Sequence, residues 1–236
     1  MQTMTDAVRA GGVTVHSGNE FFGKLSPEAL NDLLSIEHPS SYPSNIMLFS
    51  EREATPGVFV VLDGEVKLSI NSSDGRRLIL RIAKKGEILG LDSALSGQPS
   101  EITAETLYPS RIAVISRRNF HGFLSRHPEA YKTVTEELGR QIGLACAQLR
   151  SVALSASAPE KLARLLLEFS QNGQTTEAGA RFRFSLTHEE IGEFIGASRE
   201  TVTRTLSVFK TRHLVNFQGS TLTIPSKTAL ASYAGC

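Results

Sequence analysis

Between about residues 44 and 116, apolar positions alternate with polar ones or form short β-branched runs, and glycine-containing turns separate these runs. This pattern predicts β-strands, which we place at residues 58–62, 65–70, 77–82 and 110–115. Asp63-Gly64 and Asp74-Gly75 stand between successive strands, and Asp-Gly in that position predicts a tight hairpin in both places. Many short strands at this spacing favour a jelly roll or barrel.

Helical patterns flank the β-rich region. Residues 21–36 predict a short helix, in which Ser26 is the N-cap and Pro27 the first helical residue. After Pro128, apolar residues recur at intervals of three and four, at Val134, Leu138, Ile142, Ala145, Leu149 and Val152. So narrow a seam can pack on the chain's own β-domain or on a partner helix, as in a two-stranded coiled coil. We predict that it is the seam of a parallel homodimer.

A run of small residues at 155–158 then interrupts the helical pattern and predicts a hinge. The amphipathic pattern resumes over residues 161–169 as a second helix, and the polar, glycine-containing stretch 171–180 predicts a loop.

Two short helices with strong end signals follow the loop. Thr187 and Glu190 fit a capping box at the start of the first helix, and Gly196 fits a left-handed residue at its end. Ser198 is the expected N-cap of the second helix, whose apolar positions are Val202, Leu206 and Phe209. Two helices joined by a tight glycine-containing turn predict a helix-turn-helix.

The second of these helices carries residue types that read base edges. Its apolar stripe turns Arg199, Glu200, Thr203, Arg204 and Ser207 toward the opposite side. Because arginine can donate two hydrogen bonds to guanine and glutamate can accept one from cytosine, the predicted base-reading residues are Arg199, Glu200 and Arg204. The alternative is a solvated face on which Glu200 pairs with Arg204. The capped turn, and a β-hairpin wing predicted from strands at 214–217 and 221–224, favour base reading.

Composition is compatible with this interpretation. The chain has 236 residues, a hydrophobic content of 40% and a net charge of +1, which suggest two packed domains. Positive charge is concentrated between residues 197 and 213, where there are four basic residues and one acidic residue, Glu200. The chain shows neither an apolar run of membrane-spanning length nor a secretory signal, and two cysteines, Cys146 and Cys236, cannot build a disulfide framework. We therefore expect a reduced, cytoplasmic protein.

A family resemblance rests on the helix-turn-helix. Ser198-Arg-Glu-Thr-Val-Thr-Arg204, preceded by Glu190-Ile-Gly-Glu-Phe-Ile-Gly196, resembles the recognition motif of the Crp/Fnr family of bacterial transcription regulators. The resemblance covers nearly the whole chain, because β-roll, long helix, hinge and winged helix-turn-helix follow in the family's order. It implies an α+β fold with a flexible arm (1–20), a β-roll, cyclic-nucleotide-binding-like sensor domain (21–128), a dimerisation helix (129–154), a hinge (155–158) and a winged helix-turn-helix domain (159–230).

The resemblance also implies a function. It suggests a homodimer on a palindromic operator near promoters, with half-sites similar to TGTGA or GTGA read by Arg199, Glu200 and Arg204, and with RNA polymerase as a partner. An activator and a repressor both fit this description. The candidates for phosphate contacts, which position a protein without specifying sequence, are Thr187, Ser198, Thr201 and Thr203.

A sensor domain of this kind raises the question of an effector. Gly86-Glu-Ile-Leu-Gly90 resembles the start of the family's phosphate-binding cassette, so the candidate effector pocket is formed by Gly86, Glu87, Ile88, Leu89, Gly90 and Leu91. However, no Lys or Arg occurs between Lys85 and Arg111, and Glu101-Ile102 stands where the resemblance implies the Arg-Ser or Arg-Thr pair of cyclic-nucleotide-binding members. Because a buried cyclic phosphate needs a charge-assisted partner, we expect an effector other than cyclic AMP, or none. A cyclic-nucleotide-dependent regulator is the alternative.

Other chemistries receive less support. An iron–sulfur cluster of the kind found in oxygen-responsive members needs four cysteines, which the chain lacks. Two interpretations of Cys146 remain, a thiol switch and a small buried hydrophobic residue. Heme binding also remains an alternative, with candidate ligands His16, His38, His121, His127, His188 and His213. A cupin-type metalloenzyme needs histidines on its strands, yet residues 44–116 contain none. We therefore predict no enzyme activity, no cofactor and no metal.

Overall fold

The computed structural model describes residues 20–154, 157–171 and 173–234. Nearly all of the predicted N-terminal arm, residues 155 and 156 of the predicted hinge, and Cys236 therefore lie outside the described residues.

The chain divides into two compact units. The first comprises residues up to Leu68 together with 82–142, and the second comprises 69–81 together with the residues from Gly143 onward. This division falls inside the long helix, whereas the sequence places a domain boundary at the hinge that follows it.

The first unit is a β-roll. Its strands are β1 (His38–Tyr42), β2 (Met47–Phe49), β3 (Gly57–Asp63), β4 (Glu65–Asn71), β5 (Arg77–Lys84), β6 (Ile88–Leu89), β7 (Thr103–Thr106) and β8 (Ser110–Ser116), with the outer ends of β4 and β5 counted in the second unit. In the described part of the chain they form two four-stranded sheets, ordered β1-β8-β3-β6 and β2-β7-β4-β5. The predicted β-roll and its four predicted strands are confirmed.

The hairpin predicted at Asp63-Gly64 is wrong. β3 and β4 are consecutive in the chain but belong to different sheets, so the chain changes sheet at this point. Gly64 has a φ of +89°, and a Cβ added there would lie 2.2 Å from the hydroxyl oxygen of Ser110, so the corner requires glycine. The second Asp-Gly pair does join neighbouring strands, β4 and β5, and there the side chains of Ser72 and Arg76 lower the pKa of Asp74 to about 2.

Helices cover one face of the roll. They are α1 (Glu20–Gly23), α2 (Pro27–Ser35), α3 (Leu91–Ser96), α4 (Arg117–Arg126) and the start of α5 (Ala130–Leu154). The single helix predicted over 21–36 is two helices, because α1 ends before Ser26, whose hydroxyl caps α2 at the backbone N–H of Ala29 (3.2 Å). The core beneath these helices includes the buried side chains of Phe21, Phe22, Phe120 and Phe123.

The second unit contains the helices α6 (Ala158–Ser170), α7 (His188–Ile195), α8 (Arg199–Thr211) and α9 (Lys227–Ala231). Its strands are β9 (Gln174–Thr176), β10 (Gly179–Arg183), β11 (Asn216–Gln218) and β12 (Thr221–Ile224), in the order β11-β12-β10-β9. The loop predicted over 171–180 is wrong, since β9 lies in it and β10 begins there. Pairing of β10 with β12 makes this polar stretch part of a sheet.

Within the second unit, Gln148 of α5 holds two backbone segments. Its side-chain amide donates to the carbonyl oxygen of Ile79 on β5 (2.9 Å) and to that of Phe194 on α7 (2.8 Å). The outer end of the β4–β5 hairpin and the first helix of the helix-turn-helix therefore share one side chain. No helix of the described residues has the length and apolar character needed to cross a membrane.

Candidate nucleic-acid interface

The helix-turn-helix forms with the predicted end structures. Thr187 accepts from the N–H of Glu190 (3.1 Å), and the Glu190 carboxylate accepts from the N–H of Thr187 (2.8 Å), which completes the capping box. Gly196 ends α7 with a φ of 64°. A Cβ on Gly192 would lie 2.5 Å from the carbonyl oxygen of Ala197, so this glycine allows the turn to close against α7.

The orientation of α8 agrees with the sequence prediction. Ser198 caps the helix at the N–H of Thr201 (3.3 Å), and the helix buries Val202, Leu206 and Phe209. The opposite face exposes Arg199, Glu200, Thr203, Arg204 and Ser207.

The charges on this face are available to a ligand. Among the described residues, Arg199 and Arg204 make no ion pair and their side chains make no hydrogen bond, so the predicted alternative pairing of Glu200 with Arg204 is not formed. Hydrogen bonding to its own backbone N–H and to the Ser198 hydroxyl lowers the pKa of Glu200, and the charge of Arg199 adds to this effect. Glu200 is therefore an ionised acceptor between two unused arginine donors.

The four hydroxyl groups predicted to contact phosphate already have partners within the chain. Thr187 bonds to the Glu190 carboxylate (3.0 Å), Ser198 bonds to Thr201 (3.2 Å), and Thr203 donates to the carbonyl oxygen of Arg199 (2.9 Å). These side chains therefore make hydrogen bonds at the helix N-termini and within α8, and their contacts to phosphate remain a prediction.

The wing follows α8 as predicted. β11 and β12 pair antiparallel through Phe217 and Leu222, and Gly219 turns between them with a φ of 58°. The wing continues into β10 and β9, which the sequence pattern did not reveal.

One polar residue beside the recognition helix was not among the predicted interface residues. His188, the first residue of α7, places its Nδ1 atom 2.8 Å from the hydroxyl oxygen of Thr203 on α8. The available signal was its position directly after the predicted N-cap, where a side chain lies at the junction of the two helices.

The candidate effector pocket is largely core. The side chains of Ile88, Leu89 and Leu91 are buried in hydrophobic clusters of the β-roll, and the assignment of this segment to an effector pocket stays a prediction. Gly86 and Gly90 have positive φ angles of 88° and 74°, as structural turns require.

Glu87 takes part in a charge network with α5. Arg140 donates to Glu87 (3.0 Å) and to Glu137 (2.7 Å), and Glu137 also accepts from Gln141 (2.7 Å). Hydrogen bonds to Glu137 and then Glu87 raise the pKa of Arg140 above its ordinary value. This arginine is therefore engaged by two carboxylates before any ligand binds.

We expect Arg140→Met to lower the free energy of unfolding by about 1–2 kcal/mol, because the buried Glu137 loses its cation while partial exposure of Arg140 screens part of the interaction. Denaturant unfolding of the variant and the wild type measures the loss, with the exposed Arg150→Met on the same helix as the control. A loss no larger than that of Arg150→Met would contradict the assignment.

The first residue of the predicted dimer seam belongs to the chain's own core. Val134 is 1% exposed in the chain's own core and Leu138 packs against that core, so Val134 is not available to a partner. Further along α5, Ile142 is 65% exposed and Leu149 is 53% exposed. Ala145 and Val152 are half-buried.

The remaining chemistry is sparse. Cys146 is exposed in the single chain, so it is not a small buried hydrophobe there. Within the part of the chain that the structure describes, no group of three or more His, Cys, Asp or Glu side chains is placed to hold a metal ion.

Two family models match the chain and together cover both of its functional parts. Residues 39–127 match the cyclic nucleotide-binding domain, and residues 160–233 match the Crp-like helix-turn-helix domain. The chain belongs to the Crp/Fnr family. This family consists of transcription regulators rather than enzymes, so the chain is a DNA-binding transcription regulator of the CRP type.

Individual Crp/Fnr proteins resemble the chain over most of its length. The CRP-like cAMP-activated global transcriptional regulator of Mycobacterium tuberculosis is 28% identical over 90% of this chain and 95% of its own. Two solved structures share the fold. FixK2 from Bradyrhizobium japonicum has a TM-score of 0.73 at 21% identity, covering 84% of this chain and 97% of its own. The c-di-GMP responsive regulator CLP of Xanthomonas campestris has a TM-score of 0.75 at 19% identity, covering 85% and 100%.

Proposed function

We propose that this Crp/Fnr regulator acts as a homodimer on a palindromic operator with half-sites similar to TGTGA or GTGA. The observation that carries the proposal is the exposed set Arg199, Glu200 and Arg204, in which both arginines keep their donors unused by the described residues. Each arginine can donate two hydrogen bonds to guanine, and Glu200 can accept from cytosine, so the set suits a G·C-containing half-site.

The homodimer is supported by α5. Ile142 and Leu149 are seven residues apart on one face of the helix and are both exposed. Burial of their apolar surface against a partner helix would stabilise a dimer. Two copies of α8 related by two-fold symmetry would read the two halves of a palindrome. A cytoplasmic location and contact with RNA polymerase follow from this function.

The effector we propose is not cyclic AMP. A cyclic phosphate needs a cationic partner. Arg140 already pairs with Glu87 and Glu137, and the sequence has no Lys or Arg between Lys85 and Arg111 that could serve instead. The match to the cyclic nucleotide-binding domain favours the alternative, a cyclic-nucleotide-dependent regulator. Calorimetric titration with cyclic AMP separates the two, because saturable binding with an accompanying gain in DNA affinity would establish the alternative.

Base reading is tested by Arg199→Ala. Loss of a bidentate contact to guanine should reduce the preference for the selected half-site over a single-base variant by about 1–3 kcal/mol, or roughly 5- to 150-fold. The operator is first selected from random oligonucleotides, and affinities for matched and variant duplexes are then measured for each protein. The control is Arg181→Ala, which removes the same exposed side-chain type from β10. An unchanged preference in Arg199→Ala would rule out this residue as a base reader.

A further inference from the structure

We propose that the cleft between α5 and α6, which residues of β5 and α7 also line, binds a small-molecule effector with a carboxylate head group and an apolar body. The cleft has a volume of about 670 Å³, within the range of small-molecule sites, and its lining residues belong to the second unit. The predicted effector segment 86–91 belongs to the first unit, so this site is a separate one. The inference rests on the proposal of an effector other than cyclic AMP.

Apolar side chains on α5 occupy two different faces of the helix. Ile142 and Leu149 lie on the face of the proposed dimer seam, and Leu144 lies about 200° around the helix from Ile142. Leu154 lies about 140° from Leu149. Leu144 is 39% exposed and Leu154 is 78% exposed, and both line the cleft. Because a partner helix on the seam cannot also cover this second face, the cleft stays open in the proposed dimer.

The floor of the cleft reaches the helix-turn-helix. Leu165 of α6 and the α7 residues Phe194 and Ile195 line the cleft and are buried. Gln148, which also lines it, donates to the carbonyl oxygen of Phe194 (2.8 Å). An apolar ligand in the cleft therefore packs against the end of α7. Its binding free energy then depends on the position of α7, which is the differential affinity that an effector needs.

Two cations at the cleft have no carboxylate partner among the described residues. Lys161 donates from Nζ to the carbonyl oxygen of Val152 (2.5 Å), which leaves its charge unneutralised. Arg150 is exposed, and within the part of the chain that the structure describes its side chain makes no hydrogen bond or ion pair. An ammonium has three donors and a guanidinium five, so both can bind a carboxylate without losing an existing bond. Both cations stand toward the C-terminal end of α5, because Arg150 and Val152 are within its last five residues.

The acidic residues of the cleft limit the charge of the ligand. Glu160 lines the cleft and pairs with Arg164 (2.9 Å), which also donates to the carbonyl oxygen of Ala234 (2.9 Å). Arg81 and Glu168 line the cleft as well, and both have interaction partners in the chain. A second negative charge on the ligand would be repelled by these carboxylates. A monocarboxylate is therefore favoured over a phosphate dianion.

The first experiment measures whether the site selects a carboxylate. The full-length regulator is titrated calorimetrically with decanoate and with 1-decanol, an uncharged ligand of the same chain length. Decanoate should bind about tenfold more tightly, because a hydrogen bond to a charged group contributes roughly that factor. Equal affinities, or no binding of decanoate, would overturn the proposal.

Three substitutions locate the carboxylate. Lys161→Met should bind decanoate about tenfold more weakly and 1-decanol as the wild type does, whereas Lys161→Arg should keep both affinities. Arg150→Met breaks no printed bond of the chain and should weaken decanoate binding about two- to fivefold, as expected of an exposed ion pair. Lys132→Met removes an exposed lysine from the first half of α5 and should bind both ligands as the wild type does. Unchanged decanoate affinity in both Lys161→Met and Arg150→Met would overturn the proposal.

The effector role is measured separately through DNA. Saturating decanoate should change the affinity for the selected operator by about fivefold or more, as is typical of coupling between two sites. Ser151→Trp, which fills the cleft, should remove this response. An operator affinity that does not respond to bound decanoate would overturn the effector role. If cyclic AMP instead raises DNA affinity, the proposed function fails, whereas the decanoate titration still decides whether this site exists.

Discussion

Replacing Leu149 with aspartate is expected to convert the proposed dimer into a monomer and to weaken operator binding by roughly 10²- to 10⁴-fold. The first effect follows from burying a carboxylate at a helix–helix seam, where the exposed Leu149 would otherwise be covered by its counterpart. The second follows because two linked half-site contacts become one, which removes the gain from effective concentration. Sedimentation velocity and DNA titration of the same preparations measure both effects.

The control places the same charge elsewhere on the helix. Ala147 precedes Leu149 by two residues, which is about 200° around an α-helix, and it is also exposed. Ala147→Asp should therefore remain dimeric and bind the operator as the wild type does. A Leu149→Asp protein that stays dimeric would show that this face of α5 is not the seam.

Phe209→Ala is expected to have the largest effect on stability, a loss of about 3–5 kcal/mol in the free energy of unfolding. Phe209 is 0% exposed and its ring packs edge-on against Tyr233, at a centroid distance of 5.2 Å. Truncation leaves a cavity between α8 and the C-terminal residues, so the recognition helix loses its support. Thermal unfolding followed by circular dichroism gives the change, and DNA binding at a temperature above the new midpoint should be lost.

The adjacent residue provides a matched comparison. Val208 is 41% exposed on the same helix, so Val208→Ala should change the free energy of unfolding by no more than about 0.5 kcal/mol. Comparable losses for the two substitutions would mean that Phe209 is not a core residue of the DNA-binding unit.

The helix-turn-helix could be predicted closely from the sequence because its signals are local. A capping box, a left-handed glycine and an N-cap serine each act within four residues, so Thr187, Gly196 and Ser198 appear where their side-chain chemistry requires. The exposed face of α8 followed from the same register, since the apolar stripe defines which side chains turn outward.

Errors arose where distant parts of the chain determine the structure. Asp63-Gly64 has the composition of a hairpin, but β3 pairs with β8 rather than with β4, and no local signal reports that choice. Val134 continues the periodicity of the predicted seam, but the β-roll core covers it. β9 and β10 are polar and short, and their pairing depends on β12.

The contact of His188 with Thr203 could not be predicted for a related reason. A histidine after an N-cap has no defined role in sequence, and its relation to Thr203, 15 residues later, depends on the angle at which α7 meets α8.

The two hydrogen bonds that Gln148 donates, to Ile79 and to Phe194, affect how this protein can be divided by engineering. Excision of the C-terminal part at the hinge would remove it from both Gln148 and the hairpin end at 69–81, which belong to the same compact unit. Chimeras that exchange DNA specificity between regulators should therefore transfer the hairpin end and the distal half of α5 together with the helix-turn-helix and wing. The hairpin end has to be transferred as a separate segment, because residues 82–142 lie between it and the rest of the unit in the sequence.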